Sequence, residues 1–218
     1  MLLFLVPLVL ALLAMLLGGR PEKLAALPFR AVWLVVIAFG TQWIVVRIPG
    51  TDPAPLLGGA VVASYTLLLG FLWLNRRMPG LKLALAGTLL NLAVLTANGG
   101  FMPVAPATLA AVHLERPNAV IGQRVALSKD ILLPPDRARL ADLGDRLTIP
   151  WPIPQALSFG DLLVAAGVGW LVLAGMEPRL RGFRRRKARQ PGTAVPIGSR
   201  TADGRPLAGA MDGGATAE

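Results

Sequence analysis

The sequence predicts an all-α integral membrane protein with five transmembrane helices and a structured extracytoplasmic loop between helices four and five. Three observations carry this. Of 218 residues, 54% are hydrophobic and only 16% charged, against about 25% charged in an average soluble domain. The apolar residues come in blocks rather than periodic stripes, as lipid-facing segments do. The basic residues between those blocks fall alternately, as the positive-inside rule requires.

The first block is 1–17, closed by Gly18, Gly19 and Arg20. It lacks a basic leading region and a small-x-small cleavage site, so it reads as a retained helix rather than a signal peptide. The second, 31–46, lies between Arg30 and Arg47 and carries Trp33 and Trp43 near its ends, where interfacial aromatics belong. The third is 53–74, ended by Asn75, Arg76 and Arg77. The fourth is 83–97 and the fifth 158–176, followed by Glu177 and Pro178. Each is near the roughly 20 residues that cross a bilayer.

Orientation follows from charge. Arg20, Lys23 and Arg30 follow the first helix, and Arg76, Arg77 and Lys82 follow the third. The segment from Glu177 onward holds nine Lys/Arg against four Asp/Glu. In a five-helix chain these three segments share one side. The loop 98–157 is nearly balanced, with six Lys/Arg and five Asp/Glu. The expected topology is N-terminus out, loop out and C-terminus in. Residues 1–178 then form the transmembrane domain, and 179–218 a basic cytoplasmic tail, rich in Gly, Ala and Pro and expected to be disordered. Phe183 is the one aromatic among its basic residues, too few for a stacking surface, so nucleic acid is not an expected partner.

Several chemistries are excluded. There is no cysteine, hence no disulfide, thiolate metal site or cysteine nucleophile. A single histidine, His113, argues against a protein-only zinc site. No metal and no cofactor is expected.

The loop opens with NGGFMPVAP, Asn98–Pro106. Asn98, Gly99 and Gly100 suit a helix end with positive φ, and Pro103 prevents the helix from resuming. The stretch is expected to fold back against the bundle, either as plain capping or as a rim segment facing a polar cavity. Further on, 106–114 reads as a short amphipathic helix. Asp136, after Pro134 and Pro135, reads as the cap of another, closed by Gly144. Trp151–Pro154 reads as a stiff extended approach to helix five.

Ser128, Lys129 and Asp130 are the densest polar chemistry in the loop. Adjacent side chains usually point apart, so a turn with a solvated ion pair is the bland expectation against a Ser/Lys pair. Ser158 and Asp161 have the spacing of a capping box for helix five. Gln42 and Asn91 lie inside apolar blocks, where they either hydrogen-bond between helices or line a ligand path.

The segments GGR (Gly18–Arg20), NGGFMPV (Asn98–Val104), SKD (Ser128–Asp130), LGD (Leu143–Asp145) and SFGDLL (Ser158–Leu163) together resemble a bacterial membrane family, domain of unknown function 5317, over roughly residues 1–178. The resemblance implies a multi-pass protein of the bacterial plasma membrane and supplies no activity.

The expected function is binding of a partner protein, lipid or small ligand by the outside loop without catalysis, with membrane lipid, a protein partner or a second copy of the chain as candidates. The contact residues expected are Asn98, Gly99, Gly100, Met102, Pro103, Ser128, Lys129, Asp130 and Asp145, with none assigned as catalytic. The alternative is a membrane-embedded enzyme at the outer face, with Asp130 or Asp145 as general base and Lys129 as anion stabiliser. That alternative requires those groups to converge.

Overall fold

All five apolar blocks are helical in the computed structural model, which describes residues 2–112, 120–150 and 154–177. They form α1 (Leu2–Leu16), α3 (Trp33–Arg47), α4 (Pro55–Leu74), α5 (Leu81–Ala97) and α7 (Phe159–Met176). The short α2 (Pro21–Ala25) follows α1, and α6 (Pro106–Ala111) lies in the α5–α7 loop. Of these, α4 and α7 are long and apolar enough to cross a membrane; α1, α3 and α5 are apolar but shorter.

The large helices pack as a row in the spatial order α3, α4, α5, α7, α1. The pairs α3–α4, α4–α5 and α5–α7 are antiparallel, whereas α1 and α7 run parallel, with Leu10 beside Gly169 and Ala14 packed with Val172 and Met176. Along α5 and α7 the helices touch backbone to backbone: a Cβ on Gly87 would lie 2.4 Å from the Gly160 carbonyl oxygen, and one on Gly80 2.1 Å from that of Gly167. Small residues permit this approach, as in helix pairs that associate without a hydrophobic driving force. At the other end of the row, the Arg20 amide donates to the Met176 carbonyl at 2.8 Å, and Lys23 pairs with Glu177. These contacts tie the α1–α2 turn to the last turn of α7.

The interior is built in patches. Val45, Val61, Tyr65, Val94, Leu95 and Met102 form one, between α3, α4, α5 and the start of the loop. Leu72, Leu81, Ala84 and Leu171 form a second, and Ala14, Val172 and Met176 a third. Outward faces remain apolar: Val36 is 67% exposed, Leu56 83% and Leu16 85%.

The α5–α7 loop departs from an all-helical reading. It contains four three-residue strands, β1 (Met102–Val104), β2 (Asp130–Leu132), β3 (Leu147–Ile149) and β4 (Gln155–Leu157). Strands β1 and β2 pair in parallel, Met102 opposite Asp130, and β3 pairs antiparallel with β4. Alternation over three residues is too short to signal any of them.

Two further expectations change. The helix expected after Asp136 is a turn followed by a single 3-10 turn, Ala141–Leu143. Leu140 has φ +55°, and the Arg139 amide and carbonyl are both engaged by the Asn98 side chain, so a continuous helix cannot pass. Helix α6 ends at Ala111; His113, residues 151–153 and the tail from 178 lie outside the described residues.

Candidate functional site

NGGFMPV folds back against the bundle and positions what comes after it. Gly99 and Gly100 have φ of +71° and +92°. Gly100 lies against α4 so closely that a Cβ there would be 2.2 Å from the Gly58 carbonyl oxygen. The Asn98 side chain donates to the Val94 and Arg139 carbonyls, both at 2.8 Å, and accepts from the Arg139 amide at 2.9 Å. Strand β1, fully buried, then pairs with the strand carrying Asp130, and the Met102 amide donates to the Lys129 carbonyl at 3.1 Å. The same strand holds Asp145: its amide donates to the Pro103 carbonyl at 3.3 Å.

These loops roof a cavity of about 500 Å³ between the loop and the helices. Ser128, Lys129, Asp130 and Asp145 line it from the loop, and Gln42, Tyr65, Thr88, Asn91 and Asp161 from the helices. Gln155 also lines it, and its remaining wall is apolar, including Pro7, Phe39, Leu68, Val164, Ala165 and Val168. The sequence-selected residues therefore divide. Four of them reach the cavity, whereas Asn98, Gly99, Gly100, Met102 and Pro103 stand behind it as supports.

Ser128, Lys129 and Asp130 do not form a solvated ion pair. The Ser128 hydroxyl donates to Asp130 Oδ2 at 2.5 Å, while Lys129 extends toward the bundle, its Nζ 5.9 Å from the centroid of the Tyr65 ring. Below them a buried polar chain joins α5 to α7. Asn91 Nδ2 donates to Asp161 Oδ1 at 2.8 Å, and the Ser158 hydroxyl donates to Asn91 Oδ1 at 2.8 Å. Ser158 and Asp161 themselves form a capping box: the Asp161 amide donates to Ser158 Oγ at 3.0 Å and the Ser158 amide to Asp161 Oδ2 at 3.2 Å. Asp161 is thus held by neutral donors at a positive helix end.

Three carboxyl groups and one ammonium line this cavity, and burial raises two of the carboxyls, Asp130 and Asp145. Burial pushes the Asp145 carboxyl well above the usual carboxylate range; Lys129 opposes this, and the charges of Asp130 and Asp161 add to it. Burial raises Asp130 too, against the pull of Lys129 and the Ser128 hydroxyl. Burial works to lower Lys129, but Tyr65, Asp145, Asp130 and Asp161 outweigh it and hold the ammonium well above the ordinary lysine range. Asp145 is 4% exposed, and its Oδ1 has no hydrogen-bond partner within the described residues. No group of three or more His, Cys, Asp or Glu side chains is placed to hold a metal ion among the described residues.

Some supporting residues give no usable signal in the sequence. Arg124 is buried; its guanidinium donates to the Val45 carbonyl at 2.9 Å near the end of α3 and lies 5.7 Å from the Phe101 ring centroid. Asn75 grips the Arg30 backbone as Asn98 grips Arg139, accepting from its amide at 2.8 Å and donating to its carbonyl at 2.9 Å. Tyr65 is the chain's one tyrosine, set in the middle of an apolar run, and that isolation is the available cue.

A model described as a family of unknown function, DUF5317, matches residues 26–173. The chain belongs to this family. The matched span contains every cavity-lining residue except Pro7, so the roof and the polar chain are parts of the DUF5317 region itself. The DUF5317 chain is also similar to a Thermotoga maritima protein described as an uncharacterized protein, 28% identical over 174 residues, which cover 78% of this chain and 89% of that relative. No solved structure matches it.

Proposed function

We propose that this protein crosses the bacterial plasma membrane five times and binds a small ligand in the cavity beneath its extracytoplasmic loop. The convergence of Ser128, Lys129, Asp130 and Asp145 with Asn91 and Asp161 on one cavity carries the binding reading. Pockets of this size, mostly apolar with a few converging polar groups, are the usual form of small-molecule sites. The membrane reading is supported by apolar outward faces on helices throughout the row, since large exposed apolar surfaces on a folded chain call for a covering medium. Trp33, Trp73 and Trp170, at 61%, 57% and 60% exposure, fall toward the ends that the basic loops place inside. Trp43, 62% exposed, falls toward the opposite end. In this arrangement 98–157 is the outer loop and the basic segment from 179 lies in the cytoplasm as an orientation signal.

The test is native mass spectrometry of the full chain extracted from its host in a mild detergent. One small molecule retained per chain, and lost from Lys129→Ala, is the expected result. Retention of nothing by the parent protein would remove the binding reading.

The same convergence also favours a second reading, an enzyme acting on a lipid or cell-envelope substrate at the outer face. Asp145, with a raised pKa, would serve as a proton acceptor, and Lys129 would stabilise developing negative charge. Turnover of host membrane extract by the parent protein, abolished by Asp145→Asn, would select it over simple binding.

A further inference from the structure

We infer that the cavity receives the ammonium group of an amphiphile, with Asp145 as its counter-charge and the apolar wall of α4 and α7 taking the adjoining chain. This deepens the reading of the cavity as a ligand site and rests on it.

The Asp145 carboxyl is the observation that points to a ligand. It is 4% exposed, lines the cavity, and has an oxygen with no partner within the described residues. The other two cavity carboxyls are matched otherwise. Asp161 receives Asn91 Nδ2 on one oxygen and the Ser158 amide on the other; Asp130 receives the Ser128 hydroxyl. An unmatched buried acceptor costs its full desolvation, and a charged donor is the partner that recovers most of that cost.

The charge inventory decides the sign of the ligand. Three carboxyls, two of them raised by burial, face one ammonium, Lys129, so an added cation is matched by their ionisation, whereas an added anion is opposed by every carboxyl that ionises. Burial keeps Asp145 protonated more readily than an ordinary aspartate, and an arriving ammonium favours its ionised form. The rest of the wall specifies the remainder of the molecule. Leu68, Val164, Ala165 and Val168 present carbon beside the polar roof. Phe39 lines the cavity yet is 42% exposed, so this wall continues to the outward surface and lets a chain extend past it. The volume of about 500 Å³ suits a headgroup and the first part of a chain.

A primary ammonium of this kind has two sources, the headgroup of an ethanolamine lipid and a free long-chain amine. The experiment titrates the full chain, in a nonionic detergent, with dodecylamine, with dodecanoate of equal chain length, and with dioleoylphosphatidylethanolamine. Native mass spectrometry counts the adducts. The expected result is one amine per chain, bound at least about tenfold more tightly than dodecanoate, and weakened about tenfold or more in Asp145→Asn. Binding of the ethanolamine lipid with the same Asp145 dependence identifies the bilayer as the source, and binding of dodecylamine alone identifies a free amine; both support the inference. The amine-to-carboxylate preference of the parent protein decides the matter if Asp145→Asn does not fold. Equal or tighter binding of dodecanoate overturns the inference. A chain that takes no amine yet keeps a host molecule released by Lys129→Ala overturns the ammonium assignment alone. A chain that keeps no host molecule and takes no amphiphile overturns the ligand site as well.

Discussion

Lys129 enters the bundle from the α5–α7 loop and ends with its Nζ 5.9 Å from the centroid of the Tyr65 ring on α4. This one side chain brings a positive charge to a cavity that three carboxyls also line. Replacing Lys129 by alanine should lower stability by roughly 1–3 kcal/mol. The loss should grow as pH rises, because the carboxyls then ionise without their cation. Thermal unfolding of Lys129→Ala and the parent protein between pH 5 and pH 8 checks both statements.

Asp145 should behave in the opposite way. Its folded pKa lies well above the ordinary carboxylate value of 3.8, so the folded chain holds a proton that the unfolded chain releases. The stability associated with that proton is complete below the unfolded pKa and is lost as pH climbs toward the folded one. An asparagine side chain at this position cannot ionise and avoids the loss. Asp145→Asn should therefore match the parent protein at pH 4 and become more stable than it as pH rises to 8, measured by unfolding midpoints. A variant less stable than the parent at pH 8 would contradict the burial of an unmatched carboxyl.

Neighbouring glycines on α4 should respond differently to the same methyl group. At Gly58 a Cβ would lie 2.0 Å from the Gly99 carbonyl oxygen, whereas at Gly59 nothing lies within 4 Å. Gly58→Ala should cost about 1–3 kcal/mol by forcing the α5 end away from α4. Gly59→Ala should be neutral or slightly stabilising, as Ala for Gly is in an open helix position. Thermal unfolding of the pair measures the difference.

Asn98 closes a turn on the far side of the loop through both polar groups of the Arg139 backbone. Asn98→Ala should release residues 134–140 while leaving the helices folded. Trypsin cleavage after Arg137 and Arg139 should then accelerate at least about tenfold, since local opening free energy sets the rate when reclosing is fast. Circular dichroism should show unchanged helix content.

The helices are legible in the sequence because each is an unbroken apolar run, and their ends differ by only a few residues, as α5 shows by starting at Leu81. The cap of α7 is legible because Ser158 and Asp161 act locally, three residues apart. The strands are not, because β1 and β2 are three residues each and come from positions 102 and 130, so no local pattern announces them. Ser128, Lys129, Asp130 and Asp145 stand out as polar chemistry, but their convergence depends on long-range pairing of β1 with β2 and with Asp145. Asn98 reads as a ligand contact for its place beside two glycines, yet its side chain is engaged with backbone. The glycine spacing of 80 and 87 against 160 and 167 is a visible cue to close helix packing that composition alone conceals.

The proposed membrane arrangement is tested by which side of a bilayer the cavity roof takes. The chain has no cysteine, so single substitutions report cleanly. Ile121, 50% exposed in the loop, and Pro79, exposed in the turn between α4 and α5, fall on opposite sides in the proposed topology. A membrane-impermeant maleimide applied to intact cells should label Ile121→Cys, and should label Pro79→Cys only after permeabilisation. Labelling of both without permeabilisation, or of Pro79→Cys alone, would contradict the five-span arrangement with its ligand cavity facing out.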